Sequence, residues 1–178
     1  MQFSVRMIRF VAAMAFASAL LAAGAHAEAL NAVPWGFSVT FGCQSQLGSQ
    51  TIKTDAGSVV MTSYSCDTGD MSYFVAIIDY PTGTFTPEKV DNAYAGAVNG
   101  EATSAKGTIR SVEPFTLGAV TGRDALIDVA ESHQTFHSRL FLVGDRLYQV
   151  LFVAPTGQEN GKDSLDFLNS FALQSAGK

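Results

Sequence analysis

Arg139-Leu140-Phe141-Leu142-Val143-Gly144-Asp145-Arg146-Leu147-Tyr148-Gln149-Val150 reads as two apolar strands joined by a two-residue turn. Gly144-Asp145 suits a tight primed turn, whose first central residue takes a positive φ that glycine adopts without steric cost. A turn centred there sets Val143 opposite Arg146 and Arg139 opposite Val150. Leu140, Leu142, Leu147, Val150 and Phe152 give the hairpin a large apolar surface, so strands are expected over 135–143 and 146–154.

Working upstream, 123–130 and 108–112 read as two further strands. Before them the period changes. Val90, Ala93, Tyr94, Ala97 and Val98 recur at helical spacing. Thr86 suits the N-cap and Pro87 the first helical position. Glu88 and Asp91 complement the positive end of the helix dipole. Asn99-Gly100 reads as the stop, with Glu101 and Ala102 able to extend the helix by a turn. Earlier still, 73–80 is apolar on both parities and is expected to lie inside a sheet, ended by Pro81 and Gly83. Strands over 59–64, 49–54 and 37–41 precede it. Asp55-Ala56-Gly57 supplies one turn, and 28–34 is a short lead-in with a mobile start.

Downstream, 163–171 reads as a closing helix with Leu165, Leu168 and Phe171 on one face and Phe167 nearby, followed by a tail over 172–178. Short connections between successive strands favour antiparallel pairing. The expected fold class is α+β: a mainly antiparallel sheet of about six to eight strands sandwiched by two or more helices. No repeat or low-complexity linker divides residues 28–178, which are expected to form one domain.

Residues 1–27 read as a secretory signal peptide. Arg6 and Arg9 form the positive start, 10–23 the apolar run, and Ala25-His26-Ala27 the small-residue cleavage site. The run is shorter than the roughly twenty residues that span a bilayer. The residue after the cleavage point is Glu28 and not cysteine, so a lipoprotein anchor is not expected. A periplasmic protein beginning at Glu28, without a stable membrane anchor, is the expectation. Arg6 and Arg9 leave with the leader, and nine basic residues then face sixteen acidic ones, a net charge of −7. That balance, with no Lys/Arg cluster, disfavours nucleic acid and anionic lipid as partners.

Cys43 and Cys66 are the two cysteines. In an exported chain an isolated pair reads first as a disulfide, which would stabilise the fold by roughly 3 kcal/mol through loop closure. Two buried thiols are the alternative. The C-x-x-C spacing of redox pairs is absent. Were the first three strands joined by hairpins, Cys43 and Cys66 would sit at one end of the same sheet.

At this point the chain resembles small exported bacterial proteins of unknown function with a PsbP-like fold. The likeness rests on Gly36-Phe37-Ser38-Val39, Asp79-Tyr80-Pro81, Gly122-Arg123-Asp124, the quoted hairpin, and Asp166-Phe167-Leu168-Asn169-Ser170-Phe171. The hairpin is its most specific part. The resemblance implies an α/β/α sandwich, as in the extrinsic PsbP protein of photosystem II and a nuclear import factor that binds Ran. Those proteins share architecture and not a reaction, so it implies a binding or accessory role in only a general way. Many members carry Pro-Gly where Phe41-Gly42-Cys43 stands here.

Motifs for chemistry are sparse. No G-x-S-x-G elbow, G-x-G-x-x-G or P-loop occurs, and no cofactor motif is present. An enzymatic reading, as a small hydrolase or metal-dependent enzyme, would have to use Asp128, Glu131, His133 and His137. With His133 in a turn and His137 on a strand, about 13 Å separates them, too far for one metal. Surface histidines at a hairpin end are the plainer expectation. Arg139 and Arg146 are expected to be charged strand ends that keep a hairpin soluble, with an anion- or peptide-contacting sheet end as the alternative. Tyr80 and Tyr148 read as core edges whose hydroxyls find partners. Trp35 fits either a core or a binding surface. The reading favoured is a non-catalytic envelope protein that binds an unknown protein or small molecule.

Overall fold

A computed structural model describes residues 27–54 and 57–174. The expected leader thus lies outside the described residues except for Ala27, as do Asp55 and Ala56 of the first expected turn. The chain runs β1 (Glu28–Ala32), a 3-10 turn (Val33–Trp35), β2 (Phe37–Phe41), β3 (Gln46–Thr54), β4 (Gly57–Thr68) and β5 (Met71–Asp79). A second 3-10 turn (Pro87–Lys89) leads into α1 (Val90–Ala105). Then come β6 (Thr108–Leu117), β7 (Val120–Val129), β8 (Gln134–Val143), β9 (Arg146–Pro155), α2 (Lys162–Ser170) and β10 (Ala172–Leu173).

The main sheet has seven strands in the order β3-β4-β5-β9-β8-β7-β6, every neighbouring pair antiparallel. The β8–β9 hairpin forms as its residues dictate. Gly144 takes φ 61°, Val143 faces Arg146 and Arg139 faces Val150. Strand β5 lies inside the sheet between β4 and β9, which explains why both of its parities are apolar. One sheet face, through Val59, Ile78, Ala125, Ile127, Leu140 and Leu147, packs under Tyr94, Val98 and Ala102 of α1. The other face, through Val75, Ile77, Phe141, Val150 and Phe152, packs against Phe37 and Phe41 of β2 and Phe167 and Phe171 of the C-terminal segment. Phe171 stacks on both Phe37 and Phe141. Each such aromatic contributes about 1.5–3 kcal/mol by leaving water.

Two expectations about the amino-terminal part are corrected. Residues 28–32 are not a free lead-in but strand β1, with Leu30 opposite Val39 of β2. Six residues between a leader and Pro34 are too few to show a period. Strand β2 is not hairpin-connected to β3: it is the middle of a separate sheet, β1-β2-β10, laid across the second face. Cys43 follows β2, whereas Cys66 lies within β4 rather than beyond its end. The Cys43–Cys66 disulfide is present, with Cα atoms 5.9 Å apart, and staples the small sheet to the large one. Gly42 permits that crossing, since a Cβ there would stand 2.4 Å from the Tyr73 hydroxyl.

Helix α1 passes through Gly100 and ends only at Lys106, which is left-handed at φ 54°. The Gly107 N–H then closes on the Ala102 carbonyl at 2.8 Å. Thr86 gives no side-chain cap; its carbonyl accepts the Lys89 N–H and starts the 3-10 turn instead. Strand β6 continues past Val112 through Pro114, tolerable because it is an edge strand. In α2 the buried residues are Ser164, Phe167 and Leu168, while Leu165 is 38% exposed and points away from the sheet. No helix among the described residues is long and apolar enough to cross a membrane.

Candidate functional site

An open cleft of about 550 Å³ lies at the end of the main sheet where β5 leaves and the β8–β9 turn returns. Its volume is in the range of small-ligand sites. Arg146 and Asp79, opposite each other on β9 and β5, form the charged floor. The Arg146 guanidinium donates twice to the Asp79 carboxylate and once to the Trp35 carbonyl. That carbonyl also accepts the Tyr148 hydroxyl at 2.7 Å. Asp145 holds the opposite wall: its carboxylate accepts the N–H groups of Gly83 and Phe85, and its carbonyl accepts the Tyr80 N–H. These N–H groups hold the Asp145 carboxyl below the ordinary range. Two apolar side chains of the lining stand out into solvent, Val33 at 67% and Val143 at 42% exposed, beside the polar Thr82 and Gln174.

The arrangement answers several open points of the sequence. Arg146 belongs to a sheet-end cleft. Tyr148 is buried and its hydroxyl is satisfied. The Trp35 ring packs edge-on against Tyr64 at 5.8 Å, so the residue joins the core edge while its carbonyl serves the cleft floor.

A second polar group lies under α2. Arg110 is the extra residue of a β-bulge between Ile109 and Ser111, and the bulge re-aims its side chain. Its guanidinium reaches Asp128, Thr135 and Glu159. The Glu159 carbonyl accepts from His137 Nδ1 at 2.9 Å, and His137 Nε2 meets Asp124 Oδ1 at 2.8 Å. Arg139 Nε donates to the other Asp124 oxygen, and its Nη1 donates to Asn169 of α2. The Arg139 guanidinium also lies 4.0 Å from the Phe115 ring centroid. Burial alone would raise the Asp124 carboxyl, but His137 and Arg139 outweigh it and set its pKa below the usual carboxylate value. Donors and acceptors here are spent on each other, tying β6, β7 and β8 to α2.

Two expectations therefore need correcting. His137 is buried, not a surface histidine, and Arg139 is a buried member of this network, not a solvated strand end. The four residues of the enzymatic reading are dispersed. Asp128 pairs with Arg110, Glu131 with Lys106, and His137 with Asp124, while His133 is exposed in a turn at φ 54°. Among the described residues no three His, Cys, Asp or Glu side chains stand together as metal ligands.

Glu101 was not anticipated as a special position. It stands three residues after Val98 and seven after Tyr94, on the buried face of α1, so helical spacing already assigned it there. Both carboxylate oxygens are out of solvent contact and complete no hydrogen bond among the described residues. Burial lifts its pKa to about 7, and the nearby Ser138 and Gln149 only partly oppose this.

No family model matches the chain, and no curated protein matches it in sequence. Among solved structures it is similar to cyanobacterial PsbP (CyanoP) from Synechocystis sp. PCC 6803, seen in solution. The TM-score is 0.56 at 10% identity, covering 88% of this chain and 98% of that one. At that identity the likeness is one of fold, and the fold is PsbP-like.

Proposed function

We propose that this is an exported periplasmic protein of the cell envelope, a non-catalytic accessory module that binds a protein or small-molecule ligand in the sheet-end cleft. The observation that carries this reading is the pairing of a fixed charged floor with two exposed valines at the mouth of the cleft. Arg146 is held by three hydrogen bonds, two to Asp79 and one to the Trp35 carbonyl, while Val33 and Val143 stand exposed at the rim. A preorganised floor lowers the ordering cost of binding, and exposed apolar side chains around a concavity supply its driving force. The PsbP-like fold supports an accessory role as an analogy of architecture. Export rests on the amino-terminal sequence and is consistent with the disulfide.

The test joins a pull-down from periplasm with a thermal-shift screen of small molecules, using wild type and the Val33→Asp/Val143→Asp variant. Both substitutions fall on exposed side chains, so the fold is expected to survive. A partner or ligand held by wild type and lost by the variant supports the proposal. A wild-type protein that captures nothing and shows no shift across the screen defeats it.

A further inference from the structure

The main sheet ends in two edges that are managed very differently. Strand β6 carries Pro114, the Arg110 bulge and the Glu113 charge, three devices that discourage edge-to-edge pairing. Strand β3 has neither a proline nor a bulge, and Lys53 near its end is its single device of this kind. It pairs with β4 through all nine positions without a register break. Among the described residues no strand lies on its outer side. Ser49, Thr51 and Lys53 are exposed, and Leu47 is 62% exposed.

The charge map says what can approach this edge. In the whole stretch 44–66, Lys53 and Asp55 are the only charged residues, so fifteen of the sixteen acidic residues lie elsewhere. A protein with this acidic excess repels its own copies over most of its surface, but much less along β3. We propose that β3 pairs antiparallel with β3 of a second copy, about a two-fold axis at Gln50, to form a continuous sheet across a homodimer. In that register Ser49 faces the other copy's Thr51, Gly48 faces Ile52, and Leu47 faces Lys53. No like charges meet. Ile52 gains room over a glycine, and the aliphatic stem of Lys53 covers Leu47. Such an isologous contact closes on itself and does not propagate into fibres.

The experiment is sedimentation equilibrium of residues 28–178 over a concentration series, for wild type and three variants. Ser49→Lys/Thr51→Lys sets two lysine pairs across the axis and is expected to weaken association roughly tenfold, the effect of two like-charge cross-strand pairs. Ser49→Glu/Thr51→Glu is expected to weaken it likewise. Mixing the two variants is expected to restore a heterodimer, which a misfolded chain could not do. Glu113→Lys, on the opposite edge, is expected to leave the wild-type association unchanged. A wild type that stays monomeric at every concentration overturns the proposal, as does a dimer indifferent to both double substitutions.

Discussion

The Tyr94 hydroxyl accepts the main-chain N–H of Leu142 at 2.9 Å and donates to the Thr121 carbonyl at 3.0 Å. One side chain of α1 thus bolts the helix to the start of β7 and the end of β8. Its ring lies 5.1 Å from the Arg123 guanidinium, which also pairs with Asp91 one turn earlier. Burial pushes the Tyr94 hydroxyl above its ordinary pKa, so it remains a donor throughout the physiological range. Tyr94→Phe removes both bonds and leaves the Leu142 N–H and Thr121 carbonyl without this partner. A loss of about 1–3 kcal/mol in urea unfolding is expected, with an unchanged m-value. A loss below the error of the extrapolation would show that water replaces the hydroxyl.

The Cys43–Cys66 bridge closes a loop with a sequence separation of 23. Intact mass with alkylation is expected to show two thiols only after reduction. Cys43→Ala/Cys66→Ala is expected to cost roughly 3 kcal/mol by loop entropy. Because the bridge joins two sheets, the loss should be uneven. Hydrogen exchange is expected to rise more in β1 and β2 than in β5 or β9, and a uniform rise would contradict the staple.

Much of the main sheet was legible because hairpins are local. The Gly144 turn fixed a register that runs through Arg139 opposite Val150, and 73–80 announced an interior strand by its doubled apolar parity. The separate small sheet was not legible, since β2 pairs with β10 from the far end of the chain and neither strand names its partner. The polar network is half-legible. Alternation places Asp124, Asp128, Thr135, His137 and Arg139 on one face, but nothing in that pattern says that α2 and Glu159 would cover it. Glu101 is legible by helical spacing only when the helix is carried past Gly100, because a glycine there reads equally well as a stop.

Glu101 makes a pH prediction of definite sign. Its pKa is about 7 in the fold against an ordinary 4.5. The fold therefore binds this proton more tightly than the unfolded chain does. The associated stability is complete below pH 4.5, declines as pH rises towards 7, and is gone above it. The decline is roughly 3 kcal/mol, from the free energy of one pKa unit. Glu101→Gln keeps the shape without the charge and is expected to flatten this part of the profile. The variant should be the more stable protein at pH 8 and close to wild type at pH 4. Parallel profiles for the two proteins would show that the carboxyl finds water in solution.

Asp124 acts in the opposite direction. Its pKa is held below the ordinary value because His137 and Arg139, both buried, outweigh the burial that would raise it. Its contribution is present above the unfolded carboxylate pKa and is lost as pH falls through the lower folded value. Asp124→Asn removes the charge that faces both His137 Nε2 and Arg139 Nε. A loss of about 3–5 kcal/mol is expected at neutral pH, because the buried Arg139 guanidinium loses its paired carboxylate and His137 Nε2 loses its partner oxygen. A second substitution separates charge from geometry. His137→Gln in the Asp124→Asn background can hydrogen-bond both the Glu159 carbonyl and the new amide, and is expected to recover part of the loss. A double variant as unstable as the sum of its parts would mean that Arg139, bound also to Asn169 and stacked on Phe115, is the group that requires the carboxylate.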